Sequence, residues 1–216
     1  MIPKKIHVIW IGDKAVCPWN CINTWRTMNP TYEFCVWDND ALKNNKWVNA
    51  KHIKALFEAD MLSGVADLMR YEILYSMGGV TVDADSKALR PLEDWVIAPR
   101  EFACWESEIL RPGLIACGVM GSVPKSQFFD TVIKDIKAQE SVVDRLAWES
   151  VGPMALTNTW QRTHHPMTIY PSHFFIPNHF NGAKYENGGV VFCEQFWGST
   201  FNKYDSLHQE DIHDQT

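Results

Sequence analysis

The amino-acid sequence predicts an α/β protein with a mainly parallel, Rossmann-like sheet flanked by helices. Short apolar runs rich in β-branched residues alternate with helix-period segments through the first half of the chain, which is typical of a parallel sheet. The 216 residues are 46% apolar and 21% charged, which suits one globular domain. We therefore expect a single domain over residues 1–206 and a loose polar tail over 207–216.

The predicted elements of the first half follow from periodicity and stop signals. The predicted strands are 5–11, 32–37 and 80–82, and the predicted helices are 18–28, one or two short ones within 41–57, and 62–77. In the last of these helices, apolar residues recur at helical spacing. Ser63 is the expected N-cap, and the Gly78-Gly79 pair is the expected stop.

The second half is more broken, and its predicted elements are shorter. The predicted strands are 102–105, 115–120 and 190–193, the helices are 125–139 and 156–162, and short extended pieces lie at 169–170 and 174–176. No internal repeat or linker interrupts the chain, which supports one domain.

Composition narrows the possible classes of protein. The net charge of −6 argues against a protein that coats nucleic acid. No apolar stretch approaches the length of a membrane-spanning helix, and the first apolar run is too short for a signal peptide. Six cysteines without a CxxC pair predict reduced, buried thiols and a cytoplasmic location: Cys17, Cys21, Cys35, Cys104, Cys117 and Cys193.

Two carboxylates follow the strand at 80–82 directly. Asp83 and Asp85 are two residues apart, so they point to the same side of the strand end. Ligands of open α/β sheets bind beyond the carboxyl ends of the strands, and paired carboxylates suit Mg²⁺ or Mn²⁺ together with phosphate oxygens. A solvated turn is the alternative, because a lone D-x-D is common by chance.

The preceding helix adds two charged residues to this pattern. Asp67 and Arg70 are three residues apart and share a helix face. The planar fork of Arg70 suits a diphosphate, and Asp67 suits sugar hydroxyls. A surface ion pair without a function is the alternative.

The segment 66–85, read as ADLMRYEILYSMGGVTVDAD, closely resembles the SD-x-x-RY-x-x-L-x-x-x-GG-x-Y-x-D-x-D core of glycosyltransferase family 32. This family includes initiating mannosyltransferases, capsular polysaccharide enzymes and the catalytic domains of clostridial glucosylating toxins. The opening segment 2–12 is similar to the family's IPK-x-IH-x-x-W-x-G strand. The rest of the chain matches loosely.

The resemblance implies a GT-A fold, Mn²⁺ or Mg²⁺, and a UDP- or GDP-sugar donor whose anomeric configuration is retained. It implies that Trp10 stacks on the nucleobase, although a core tryptophan is the alternative. Asp67, Arg70 and Asp85 would be catalytic, and Asp83 would join Asp85 at the metal. The residues implied in donor binding are Trp10, Asp38, Asn39, Asp67, Arg70, Asp83 and Trp197.

The C-terminal region departs from the family pattern. Relatives carry an HH-x-x-GSW segment with a metal-side ligand and an aromatic lid, whereas this chain reads EQFWGSTF over 194–201. Glu194 or Gln195 would replace the missing metal ligand, and Trp197 or Phe201 would form the lid. The resemblance also implies an acceptor-side turn at Gly152-Pro153. The histidines at 164, 165, 173 and 179 have no metal-site spacing.

These observations predict a metal-dependent hexosyltransferase acting on an unidentified acceptor. A glycan, a lipid-linked sugar, a protein and a modified nucleic-acid base all remain open as acceptors. Two other functions also remain open. One is a nucleotide-sugar hydrolase or nucleotidyl-transfer enzyme with the same metal site, and the other is a non-catalytic module that binds nucleotide sugars.

Overall fold

A computed structural model describes residues 1–212. Its strands are β1 (Lys5–Ile9), β2 (Glu33–Trp37), β3 (Gly79–Asp83), β4 (Ser86–Ala88), β5 (Glu101–Ser107), β6 (Arg111–Ser122), β7 (Thr168–Tyr170) and β8 (Cys193–Gln195). Its α-helices are α1 (Trp19–Met28), α2 (Asn39–Asn44), α3 (Ala50–Glu58), α4 (Leu62–Met77), α5 (Gln127–Lys137), α6 (Ala147–Ser150), α7 (Pro153–Thr163), α8 (Gly198–Phe201) and α9 (Tyr204–Leu207).

The central sheet has six strands in the order β2-β1-β3-β6-β5-β7. Only β6 runs opposite to the others, because β1 pairs in parallel with β2 and β3 while β6 is antiparallel to both β3 and β5. The predicted mainly parallel sheet is therefore confirmed. The carboxyl ends of β1, β3 and β5 consequently meet at one edge of the sheet.

Each face of the sheet has its own apolar core. One core packs α4 and α5 against the sheet through residues such as Leu68 and Phe129. The other packs α1 and β4 through Trp25 and Val82. Helix α4 ends at Gly78, whose φ of 66° suits glycine, so the predicted stop is confirmed.

Three local predictions were wrong. Met61 is the N-cap of α4, without a side-chain hydrogen bond, and Ser63 lies inside the helix. Residues 172–174 form a 3-10 turn where 174–176 were predicted to be extended. The last strand is Cys193–Gln195, because pairing with β4 rather than local propensity determines where it forms.

The tail was predicted to be loose from Leu207, and its described part is packed. Leu207 and Ile212 are 2% and 1% exposed and contact Cys21 in a small core. The Asn20 amide donates to the carbonyls of Leu207 and Glu210 at 2.7 and 2.9 Å. Residues 213–216 of the predicted tail lie outside the described residues. Among residues 1–212, no helix is both long and apolar enough to span a membrane.

Candidate active site

A cleft of about 420 Å³ opens at the carboxyl edge of the sheet. The strand ends of β1 and β3, the first turns of α4 and the segment 195–205 form its walls. The cleft brings together seven of the residues predicted from the sequence: Trp10, Asp67, Arg70, Asp83, Asp85, Gln195 and Trp197.

Arg70 is the centre of a buried network of charges in this cleft. Its Nη2 donates to Asp83 Oδ1 at 2.6 Å, its Nη1 donates to the carbonyl of Cys117, and Asp67 Oδ1 lies 3.9 Å from Nη1. Burial favours a lower pKa for Arg70, but the carboxylates of Asp83 and Asp67 outweigh it, so its pKa lies above the ordinary value. Arg70 is 5% exposed, and its Nε has no partner among the described residues. The guanidinium is therefore fixed and charged.

The two buried carboxylates have pKa values above the ordinary 3.8. Burial, opposed by Arg70 and supported by Asp83, raises the pKa of Asp67 to about 7. Burial and the neighbouring Asp83 raise the pKa of Asp85 to about 6. Asp67 and Asp83 flank the guanidinium of Arg70, and Asp85 interacts with Asp83. Three carboxylates thus share one guanidinium, so the cleft carries excess negative charge that a cation would offset.

Backbone contacts fix the position of Asp85. The backbone N–H of Gly198 donates to Asp85 Oδ2 at 2.6 Å, and the N–H of Phe196 donates to the carbonyl of Asp85 at 3.0 Å. Strand β8 places Gln195 opposite Ser86, the residue after Asp85. The Gly198 contact thereby occupies Oδ2 of the Asp85 carboxylate.

Two glycines leave the room that these carboxylates need. A Cβ at Gly118 would lie 2.5 Å from Asp83 Oδ2 and 3.1 Å from Gln195 Nε2. A Cβ at Gly152 would lie 2.8 Å from Asp67 Oδ2. Gly118 was not predicted, since a glycine inside a strand gives no sign of what approaches it. Gly152 was noted only as part of an acceptor-side turn.

The side chains beside Asp83 fit a hard divalent cation. Asp83 and Asp85 offer carboxylate oxygens, and the buried Gln195 Nε2 has no partner among residues 1–212. If the Gln195 amide is turned over, its oxygen faces the space it shares with Asp83 Oδ2. Within the described residues, no three His, Cys, Asp or Glu side chains form a metal cluster. A cation held here would therefore need substrate or water oxygens as further ligands.

The aromatic residues of the cleft are held by their indole N–H groups. Trp10 donates to the carbonyl of Asp13 at 3.0 Å and packs edge-on against Tyr204, with the ring centroids 4.8 Å apart. Trp10 is only 8% exposed, so most of its ring belongs to the core. Trp197 donates to the carbonyl of Asn178 at 2.9 Å and is half-buried at the mouth of the cleft. Tyr204 was missed because nothing in the sequence links it to Trp10.

Four residues with predicted roles do not line the cleft. Asp38 caps α2 and pairs with Lys14 at 3.1 Å. Asn39 instead holds the cleft backbone, because its side chain bonds both the N–H and the carbonyl of Gly12. Glu194 accepts from the Asn178 amide at 2.7 Å. Phe201 is 44% exposed, so of the two lid candidates only Trp197 lines the cleft.

Comparison with known proteins supports the resemblance seen in the sequence. The family described as glycosyltransferase sugar-binding region containing DXD motif matches residues 19–102, which hold Asp67, Arg70, Asp83 and Asp85. The predicted resemblance to family 32 is therefore confirmed over this part of the chain.

The similar proteins carry glycosyltransferase names. Inositol phosphoceramide mannosyltransferase 2 of Schizosaccharomyces pombe is 26% identical over 75% of this chain and 47% of its own length. An uncharacterized glycosyltransferase, L373, of Acanthamoeba polyphaga mimivirus is 27% identical over 63% of this chain and 56% of its own. The chain thus spans about half the length of these relatives.

A solved structure confirms the fold. The PaToxG glycosyltransferase superposes with a TM-score of 0.61 over 75% of this chain and 70% of its own, at 14% identity. At that identity the likeness shows the fold alone, and it confirms the predicted GT-A type.

Proposed function

We propose that the protein transfers a hexose from a nucleoside diphosphate sugar to an acceptor hydroxyl, with a divalent cation and with retention of anomeric configuration. One observation carries the proposal. Asp67, Arg70, Asp83 and Asp85, which the DXD pattern singles out, converge in one cleft at the carboxyl edge of the sheet. A pocket with convergent, buried charges is where a charged substrate is expected to bind.

The role proposed for each residue of the cleft follows from its charge. Asp83 and Asp85, with Gln195, would hold Mn²⁺ or Mg²⁺, which offsets negative charge on the leaving diphosphate when bound. Arg70 is fixed by Asp83 and the Cys117 carbonyl and adds a second positive charge at that place. Asp67, beside Arg70, would accept hydrogen bonds from hydroxyls of the donor sugar.

The reaction exchanges one bond at the anomeric carbon. The bond from that carbon to the phosphate oxygen breaks, and a bond to the acceptor oxygen forms. The acceptor proton leaves on the released nucleoside diphosphate. With retention, the acceptor approaches on the face that the diphosphate leaves. The chain need not supply a separate nucleophile for this route.

The names of the relatives suggest the order in which donors should be tested. One similar protein is named an inositol phosphoceramide mannosyltransferase, so GDP-mannose is the first donor to test here, and an inositol-bearing lipid is the first acceptor. UDP-glucose, UDP-galactose and UDP-N-acetylhexosamine complete the panel. A cytoplasmic location remains a prediction from the sequence, and a role in polysaccharide synthesis is an expectation from the family resemblance.

An assay of nucleoside diphosphate release tests the proposal. Each donor is incubated with the protein, with Mn²⁺, with Mg²⁺ or with EDTA, and with or without candidate acceptors. We expect one donor to be turned over only with metal, and faster with an acceptor than without. Asp85→Ala should lower the rate by roughly 10²–10⁴. Release of pyrophosphate would instead indicate nucleotidyl transfer, and an acceptor-independent rate would indicate a hydrolase.

A further inference from the structure

Strand β5 carries two buried glutamates, each facing a histidine. Glu101 is 3% exposed and lies 3.4 Å from His165, and Glu106 is 6% exposed and lies 3.4 Å from His179. The two pairs have the same chemistry and the same separation. They differ in position, since Glu106 lines the cleft and Glu101 does not.

Neighbouring side chains contact only one oxygen of the Glu106 carboxylate, Oε1, among the described residues. Arg111 Nη1 donates to Glu106 Oε1 at 2.9 Å, and His179 Nε2 faces that same oxygen. Among the described residues, none makes a hydrogen bond to Oε2. Arg111 is itself packed over the ring of Trp148, 4.3 Å from its centroid. The carboxylate is therefore fixed in place with one oxygen free to accept a hydrogen bond.

The sheet sets Glu106 across the cleft from the metal-side carboxylates. Strand β6 separates β3, which carries Asp83, from β5, which carries Glu106. The two strands lie two strand spacings apart, roughly 10 Å, which leaves room between their ends for a sugar ring and an attacking hydroxyl. Both strands deliver their carboxylates at the same edge because β3 and β5 run in the same direction.

The loop that holds Glu106 also holds Trp197. The ring of His179 lies 5.5 Å from that of Trp197, and the neighbouring Asn178 carbonyl accepts the Trp197 indole N–H at 2.9 Å. An acceptor bound at Glu106 would thus lie close to Trp197.

We infer that Glu106 is the acceptor-binding residue, whose free oxygen accepts a hydrogen bond from a group of the acceptor beside its attacking hydroxyl. This contact orients the hydroxyl toward the anomeric carbon and leaves the hydroxyl proton to the diphosphate. The inference rests on the proposed function and adds the acceptor side to it. The ligand class is a hydroxyl compound. Water takes the same place when the donor is hydrolysed without an acceptor.

Glu106→Gln and Glu101→Gln form a matched pair of variants. Each replaces a buried β5 carboxylate that faces a histidine, and only one of them lies in the cleft. The measurements are kcat and KM for hydrolysis of the donor that the wild type accepts, with Mn²⁺ present, and the melting temperature of each variant. We expect Glu106→Gln to lower kcat by about 10- to 100-fold while the donor KM stays within twofold, because orientation of the hydroxyl is lost and donor binding is not. Glu101→Gln should change neither constant.

The outcomes distinguish a failure of the role inferred for Glu106 from a failure of the proposed function. If the wild type turns over its donor and Glu106→Gln does so at the same kcat, the inference is wrong while the proposed function stands. A loss of donor affinity and thermal stability together with kcat would assign Glu106 a structural role and also overturn it. An equal fall in kcat for Glu101→Gln would contradict it as well. If the wild type turns over no donor, the proposed function fails first.

Discussion

The two walls of the cleft are built in different ways. On the donor wall, formed by β1, β3 and α4, side chains fix one another: Arg70 binds Asp83, and both lie beside Asp67. On the C-terminal wall, formed by residues 195–205, the backbone rather than the side chains sets the geometry. Helix α8 has four residues, and Trp197 and Asn202, the residues that flank it, have φ of 56° and 52°. The geometry of the donor wall thus depends on which side chains are present, whereas the geometry of the C-terminal wall depends on backbone conformation.

The largest expected effect is on the donor wall. Arg70→Lys keeps a positive charge but loses the fork that reaches Asp83 and the Cys117 carbonyl together. We expect donor turnover to fall by about 10²–10³. The measurement is the steady-state rate of nucleoside diphosphate release.

Arg90→Lys is the matched control for this change, because Arg90 forms an exposed pair with Glu93 at 3.3 Å. It should leave the rate unchanged. A comparable loss in both variants, or none in Arg70→Lys, would mean that side-chain geometry does not define the donor wall.

The second effect is a pH dependence of stability. Burial raises the pKa of Asp67 from its ordinary 3.8 to about 7, so the folded state binds this proton more tightly than the unfolded state. The contribution of Asp67 to the free energy of unfolding is therefore present at low pH and falls as pH rises from about 4 to about 7. Asp67→Asn has no carboxyl group to titrate at this position. Its free energy of unfolding should therefore rise relative to that of the metal-free wild type by on the order of a few kcal/mol as the pH increases across that range.

Urea titrations of both proteins at several pH values measure this difference. Asp144→Asn, at an exposed position, is the control and should track the wild type. A difference between Asp67→Asn and wild type that does not vary with pH would mean that folding does not raise the pKa of Asp67 and that its carboxylate is ionised across this range.

A third effect tests the contact between the two walls. Gly118→Ala places a methyl group 2.5 Å from Asp83 Oδ2 and 3.1 Å from Gln195 Nε2, so one of them must move. We expect the affinity for Mn²⁺ to fall by about tenfold, as for a displaced ligand or its support. Isothermal titration with Mn²⁺ and nucleoside diphosphate measures it.

Gly188→Ala is the control here, since a Cβ at Gly188 meets nothing within 4 Å. It should bind Mn²⁺ as the wild type does. Unchanged affinity in Gly118→Ala would remove Asp83 and Gln195 from the cation site.

The smallest effect is expected at Glu194. Its carboxylate accepts from the Asn178 amide and does not line the cleft, so Glu194→Gln should change Mn²⁺ affinity by less than about twofold. Gln195→Ala should weaken it measurably in the same titration. The reverse ranking would show that Glu194, rather than Gln195, replaces the histidine of the family pattern.

The residues of the donor wall could be predicted from the sequence because the patterns that indicate them are local. The helical period before Gly78-Gly79 and the D-x-D at the end of β3 lie within one short stretch, and the strand delivers both carboxylates to one edge. Gln195 lies next to Asp85 only because β8 pairs with β4, and a three-residue strand carries almost no periodicity. Gly118 and Glu106 come from strands that pair across the sheet, a long-range arrangement that residue spacing does not encode.

The docked C-terminal segment illustrates the same limit. Residues 207–212 look like a polar tail, yet Leu207 and Ile212 fill a small core against Cys21. Two apolar residues among many polar ones do not predict burial, because the hydrogen bonds from Asn20 that hold them come from far along the chain.

The central claim is that Asp83 and Asp85 bind a nucleotide sugar through a divalent cation. The most direct test is the melting temperature of wild type and Asp85→Ala with the donor panel, with and without Mn²⁺. A donor at 100 times its Kd should stabilise the wild type by about 2.7 kcal/mol with Mn²⁺ and little without it, and Asp85→Ala should lose this gain. Equal stabilisation of Asp85→Ala, or no response of the wild type to any nucleotide sugar, would contradict the account.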